Sequence, residues 1–224
     1  MNYQELMNEL YKNKNDDYAL FQKKLSNSDY EVIGIKLPDL KKIAKESYKD
    51  ESLHLSDFNH HKILEEELMY LYIGMNRAKT IDEKLNFVLE NVKYADSWMI
   101  TDSYNAFLSK LDFDHYIDFF MKTSNSKHIY TRRISYILGL KVIRDERVLS
   151  ILKYLTDDTE YMVIMGQAWL LATMAICYPN EIYEYLNKST NTPLIRKTVS
   201  KIVDSFRISE ENKTMFKTLR EKLN

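Results

Sequence analysis

Apolar residues recur every three or four positions along almost the whole chain, the spacing of one buried helix face. Leu6, Leu10 and Tyr11 predict a first short helix, and Tyr18, Phe21, Gln22 and Leu25 a second after the polar run 13–17. The turn Ile33 to Pro38 opens a third, since proline in a first turn forfeits no intrahelical hydrogen bond. Leu40, Ile43, Ala44 and Tyr48 form its inward stripe. Ser56 or Asp57 is placed to cap a long helix through about Arg77, with Ile63, Leu64, Leu68, Leu71 and Met75 inward. Asp82 is read as the next cap, ahead of Leu85, Val88, Leu89 and Val92. Asp96 or Ser97 follows, ahead of Trp98, Met99, Asp102, Phe107 and Leu108. Further helices are predicted over 113–122, 127–143, 145–156, 160–177, 180–187, 192–205 and 209–222.

From residue 57 onward these helices pair with a period of roughly 35 to 40 residues, the signature of stacked helical repeats. The expectation is an all-α fold: a superhelix of HEAT-like antiparallel helix pairs, an α–α solenoid of about 12–13 helices, forming one domain over residues 1–224. A globular helical bundle fits the same periodicity. Only four Gly and three Pro are present, too few for the tight turns of a β-sandwich or barrel. Gly74, Gly139 and Gly166 fall inside predicted helices, where close helix–helix approach is one reason for glycine.

Charge refines this picture little in total and more in its distribution. The formal net charge is −1, so the whole chain is no electrostatic magnet for nucleic acid or anionic lipid. Residues 122–147 nevertheless hold seven Lys or Arg against two acids, and 188–224 hold nine against four. Residues 50–69 are acidic, and 154–187 contain no Lys or Arg. Such runs are read either as ordinary solvated faces or as a basic stripe tracking a phosphate backbone. The single cysteine, Cys177, sits in an apolar run and reads as a small core residue of a reducing compartment. No signal-type or membrane-length apolar stretch occurs, which points to the cytoplasm.

Most catalytic signatures are missing. The sequence has no phosphate-cradling glycine loop, nucleophile elbow or dinucleotide fingerprint. The five histidines are scattered; His61 and Glu65 are four apart but lack further ligands, so neither metal nor cofactor is expected. One constellation stands out. Trp98 and Asp102, separated by four, share a helix face, Trp169 lies further along, and Arg132 and Arg133 fall between. Two indoles, a carboxylate and a guanidinium suit a cationic, sugar-bearing substrate: aromatic faces attract cations, a carboxylate stabilises oxocarbenium charge and Arg grips phosphate. Against this, a Trp in a helical protein is usually core, and Asp102 reads equally as an ordinary polar residue.

Several stretches resemble the AlkD-like DNA alkylation repair family. They are Gly34 to Glu46, Asp96-Ser97-Trp98 with Asp102-Ser103, Tyr130 to Arg133, Ala168-Trp169 with Pro179, and Ser205 to Ser209. The matches run in family order from about residue 17 to the C-terminus. The resemblance implies a HEAT-like superhelix that releases 3-methyladenine and 7-methylguanine from alkylated double-stranded DNA, as a monomer and without cofactor. It implies that Trp98 and Trp169 pack against the lesion's deoxyribose, that Asp102 stabilises the sugar cation and orients water, and that Arg133, beside Arg132, holds a phosphate. Residues 21–29 resemble instead the shorter N-terminal helix of a second AlkD-like branch. That leaves a non-catalytic relative with weak DNA affinity, or a protein-interaction scaffold, as alternatives.

Overall fold

The computed structural model describes residues 1–223. Twelve α-helices account for most of the described residues, and none of these residues forms a β-strand beyond one isolated bridge between Glu31 and Ile63. The all-α class expected from the periodicity is therefore correct. Contacts cluster into two compact units, Met1–Ser109 and Lys110–Asn224. No helix of the described residues is long and apolar enough to cross a membrane.

The first unit comprises α1 (Tyr3–Lys12), α2 (Asp16–Ser26), α3 (Leu37–Ser47), α4 (Leu64–Arg77), α5 (Ile81–Asn91) and α6 (Trp98–Tyr104). Its central member is α4, which packs against α3, α5 and α6 and buries Leu64, Leu68, Leu71 and Met75. Gly74 permits the α4–α5 approach, because a Cβ there would lie 2.1 Å from the Phe87 ring. The predicted start of α4 near residue 57 is too early. Leu55–Asp57 make only a 3-10 turn, and the chain then runs irregularly through His60 (φ 51) and Lys62 (φ 64) before the helix begins at Leu64. The backbone of that segment is bound elsewhere: Glu31 N–H donates to Lys62 O at 2.7 Å, and Leu64 N–H to Glu31 O at 2.8 Å. The next helix is capped by Thr80 rather than Asp82, with a reciprocal bond from Glu83.

Helix α2 is present where predicted, but only part of its expected stripe turns inward. Gln22 and Ser26 are buried, whereas Leu20, Phe21 and Leu25 are exposed. The turn before α3 depends on Gly34 (φ 90), whose replacement would push a Cβ against Asn15 O.

The second unit comprises α7 (Phe113–Thr123), α8 (Ile129–Gly139), α9 (Tyr161–Met174), α10 (Pro179–Lys188), α11 (Thr192–Val203) and α12 (Glu210–Glu221). Helix α9 is apolar nearly all round, the pattern of a helix covered on several sides, and it packs chiefly against α8 and α11. The predicted helix 145–156 is a 3-10 segment, Glu146–Tyr154. Cys177 falls in the turn after α9 and is exposed, correcting its core assignment: the helix ends at Met174, so the thiol escapes the apolar face that its neighbours Met174 and Ala175 occupy.

Candidate functional site

In the first unit, Trp98 opens α6 and Asp102 follows one turn later, so both side chains leave the same face. Trp98 is half-buried, and its indole Nε1–H donates to Leu25 O at the end of α2 at 3.2 Å, which fixes the ring plane. Asp102 is also half-buried and accepts from the Thr101 hydroxyl at 3.1 Å. Behind them α6 is anchored by Met99, Ile100 and Tyr104, all in the core.

Asp96 is not the side-chain cap of α6. Its Oδ2 accepts from Ser28 Oγ (2.5 Å), Asp29 N–H (2.8 Å) and Tyr30 N–H (3.1 Å), bolting the loop after α2 to the start of α6. Ser97, the N-cap residue by position, makes no side-chain capping bond. Residues 21–30 are thus held to the Trp98 turn by one indole N–H and one carboxylate. An Asp one or two places ahead of a helix reads as a cap from sequence, so this loop anchor gave no signal of its own.

In the second unit the two consecutive arginines have separate fates. Arg132 meets Asp158 in a two-pronged bridge, Nε to Oδ2 at 2.6 Å and Nη2 to Oδ1 at 3.3 Å, and its Nη1 donates to Ser126 O and Lys127 O. These partners engage the guanidinium within the unit. Arg133 is only 5% exposed and donates through Nη1 to Met162 O at 2.7 Å. Gly166 of α9 lies beside its stem, where a Cβ would stand in ordinary contact 3.5 Å from Arg133 Cγ.

Trp169 lies on the remaining open side of α9, 40% exposed. Its nearest cationic partner is Lys201 of α11, whose Nζ stands 5.8 Å from the ring centroid. The indole borders an open groove of about 400 Å³, lined also by Thr173, Asp204, Ser205 and Arg207. Sequence reasoning missed Lys201 and Arg207 as individuals, although both belong to the basic run 188–224 and Lys197 and Lys201 are four apart on one helix face. Among the described residues no group of three His, Cys, Asp or Glu is arranged to hold a metal, and Glu65 faces backbone amides rather than His61.

The described residues form a helix-only fold in which each unit presents one indole: Trp98, with Asp102 one turn further on, in the first, and Trp169 on an open helix face in the second. The sequence matches the DNA alkylation repair enzyme family over residues 6–202, and the chain belongs to that family. Its structure is similar to that of a predicted DNA alkylation repair enzyme from Enterococcus faecalis, with a TM-score of 0.68 over 86% of this chain and 96% of that one. At 15% identity this likeness is one of fold. No curated protein matches the chain.

Proposed function

We propose that the protein is a DNA glycosylase of the AlkD-like type that hydrolyses the N-glycosidic bond of cationic alkylpurines, 3-methyladenine and 7-methylguanine, in duplex DNA. The observation that carries this reading is the Trp98–Asp102 pair on one half-open face of α6, its indole oriented by the Leu25 carbonyl. In this reading Trp98 and Trp169 pack their faces against the deoxyribose. Asp102 stabilises positive charge developing at the anomeric carbon. Water attacks that carbon as the glycosidic bond breaks; the bonding pair leaves with the purine, neutralising its positive charge, and the attacking water gives up one proton to solvent. A base that departs neutral needs little general-acid help, so fixed charge dominates catalysis. Arg133 contributes positive charge toward the backbone. The organisation that accompanies this reading is one HEAT-like domain, acting on DNA as a cytoplasmic monomer without cofactor.

The test is release of 7-methylguanine from alkylated duplex DNA by the purified protein. Asp102→Asn is expected to lower the single-turnover rate on the order of 10²–10³-fold, the loss typical of one well-placed electrostatic group. Trp98→Ala is expected to lower it as well. Release that survives both substitutions would refute the assignment of these residues.

One observation favours a second reading, a non-catalytic relative with weak DNA affinity. Arg132 is bound by Asp158, and Arg133 is buried with a carbonyl partner, so the phosphate grip expected of this pair is reduced. Absence of base release, together with DNA binding that weakens steeply with salt, would select it.

A further inference from the structure

We propose that the groove beside Trp169, together with Phe206, is a stacking-and-phosphate site for single-stranded DNA. The inference shares Trp169 with the site above but goes beyond it, because it holds whether or not a glycosidic bond is cleaved.

Aromatic rings and cations alternate along this face of the second unit. Tyr161 and Trp169 lie eight residues apart on α9, 55% and 40% exposed. Lys197 and Lys201 lie four apart on the neighbouring α11, and their Nζ atoms stand 5.3 Å from the Tyr161 ring and 5.8 Å from the Trp169 ring. Beyond the end of α11 comes Phe206, whose ring is wholly in solvent. It is not carried by a loose tail. Ile202 and Ile208 on either side are buried, and the Ser205 hydroxyl accepts the Arg207 N–H at 3.2 Å, so a pinned turn projects the ring into water.

Apolar exposure of this kind marks interaction surfaces rather than folding. The chemistry around it selects the occupant. Arg207 is exposed, and among the described residues none makes a hydrogen bond or ion pair with its guanidinium, leaving a planar donor set for a phosphate. The groove of about 400 Å³ has room for a nucleoside between Trp169 and the Arg207 turn. Asp204, at the groove wall, opposes a bare anion but can accept from an N–H of a base edge, the N3–H of thymine included. A duplex shows only its edges and backbone to a protein, whereas stacking on Phe206 requires a free base face. Aromatic platforms interleaved with cations are the recurrent solution for single strands.

The experiment uses the full-length protein and a fluorescein-labelled oligothymidylate of about twelve nucleotides, a span within the usual range for one such surface, with anisotropy as the readout. Binding is expected, together with quenching of Trp169 emission in a Trp98→Phe background. Phe206→Ala and Phe206→Leu are each expected to weaken affinity about tenfold while Phe206→Tyr retains it, because the ring face rather than apolarity is used. Arg207→Ala is expected to reduce the slope of log affinity against log salt by about 0.7. No oligothymidylate binding, or binding indifferent to Phe206→Ala, would overturn the proposal. So would preference for a blunt duplex that Phe206→Ala leaves unchanged. The two proposals fail separately. Release of 7-methylguanine without oligothymidylate binding overturns only this one, and Phe206-dependent binding without base release supports it alone.

Discussion

Three consecutive glutamates, Glu65, Glu66 and Glu67, are all buried in the first turn of α4, each facing a different set of partners. Glu65 accepts from the amides of Ile33, Gly34 and Ile35, and Glu66 accepts from the Tyr3 hydroxyl at 2.6 Å. Glu67 has both oxygens within 2.9 and 3.0 Å of His60 Nδ1, and the imidazole is stacked on Tyr94 at 3.7 Å. Burial, then the charges of Glu66 and Asp96, raises the Glu67 carboxyl to about 8, while burial lowers His60 below its ordinary value. The pair therefore keeps its proton on Glu67, whose O–H donates to neutral His60. The pH dependence follows from counting protons. Above pH 6.5 the unfolded chain has lost both protons, while the folded chain retains the one on Glu67 until pH 8. Stability should fall as pH rises through that window, by about 2 kcal/mol in all. Below pH 6.5 the unfolded histidine takes up a proton that His60 resists, and the slope flattens. Urea unfolding at a series of pH values should show this decline, and Glu67→Gln should abolish it. From sequence the three acids read as part of an acidic run, because nothing in their spacing reveals partners up to 63 residues away.

At the scale of helices, periodicity identified which residues share a face more reliably than which way that face looks. In α2 the spacing of Tyr18, Phe21, Gln22 and Leu25 marks a helix correctly, yet of these the core takes only Gln22, joined by Ser26, with Gln22 Nε2 set 4.0 Å from the Met99 sulfur. The start of α4 is misplaced for a related reason: a cap-type residue at 56 or 57 cannot show that the chain at 62–64 pairs with Glu31. The same tie yields a prediction. The Glu65 carboxylate is the acceptor for three buried amides of the segment before α3, and an amide left unsatisfied costs about 1–3 kcal/mol. Glu65→Ala should destabilise the protein by roughly 3–5 kcal/mol in urea unfolding, with Glu65→Gln between it and the wild type. Equal stability of Glu65→Ala and wild type would show that these amides find other acceptors. For the candidate site, the four-residue spacing made the shared face of Trp98 and Asp102 legible. The burial of Arg133 was not, since its carbonyl partner, Met162, lies on another helix.

For the molecule as a whole, the sequence made the all-helical class plain through its scarcity of breakers and its unbroken three-to-four spacing. The division of contacts at residue 109 had no such signal, as no linker or composition shift accompanies it. The single domain proposed over 1–224 implies that both units unfold together, as neighbouring repeats of one array do. The chain carries only two tryptophans, and the boundary falls between them: Trp98 in the first unit and Trp169 in the second. Each half is therefore born with its own chromophore. Trp169→Phe leaves the emission of the first unit alone, and Trp98→Phe that of the second. Urea midpoints from the two variants, each referenced to far-ultraviolet circular dichroism of the same sample, should coincide. Separated midpoints would instead make the halves distinct cooperative bodies. Because both indoles are also the proposed deoxyribose contacts, the same two signals report from either side of the boundary when DNA is added. The two residues proposed to contact a damaged nucleotide thus double as a built-in optical gauge of cooperativity.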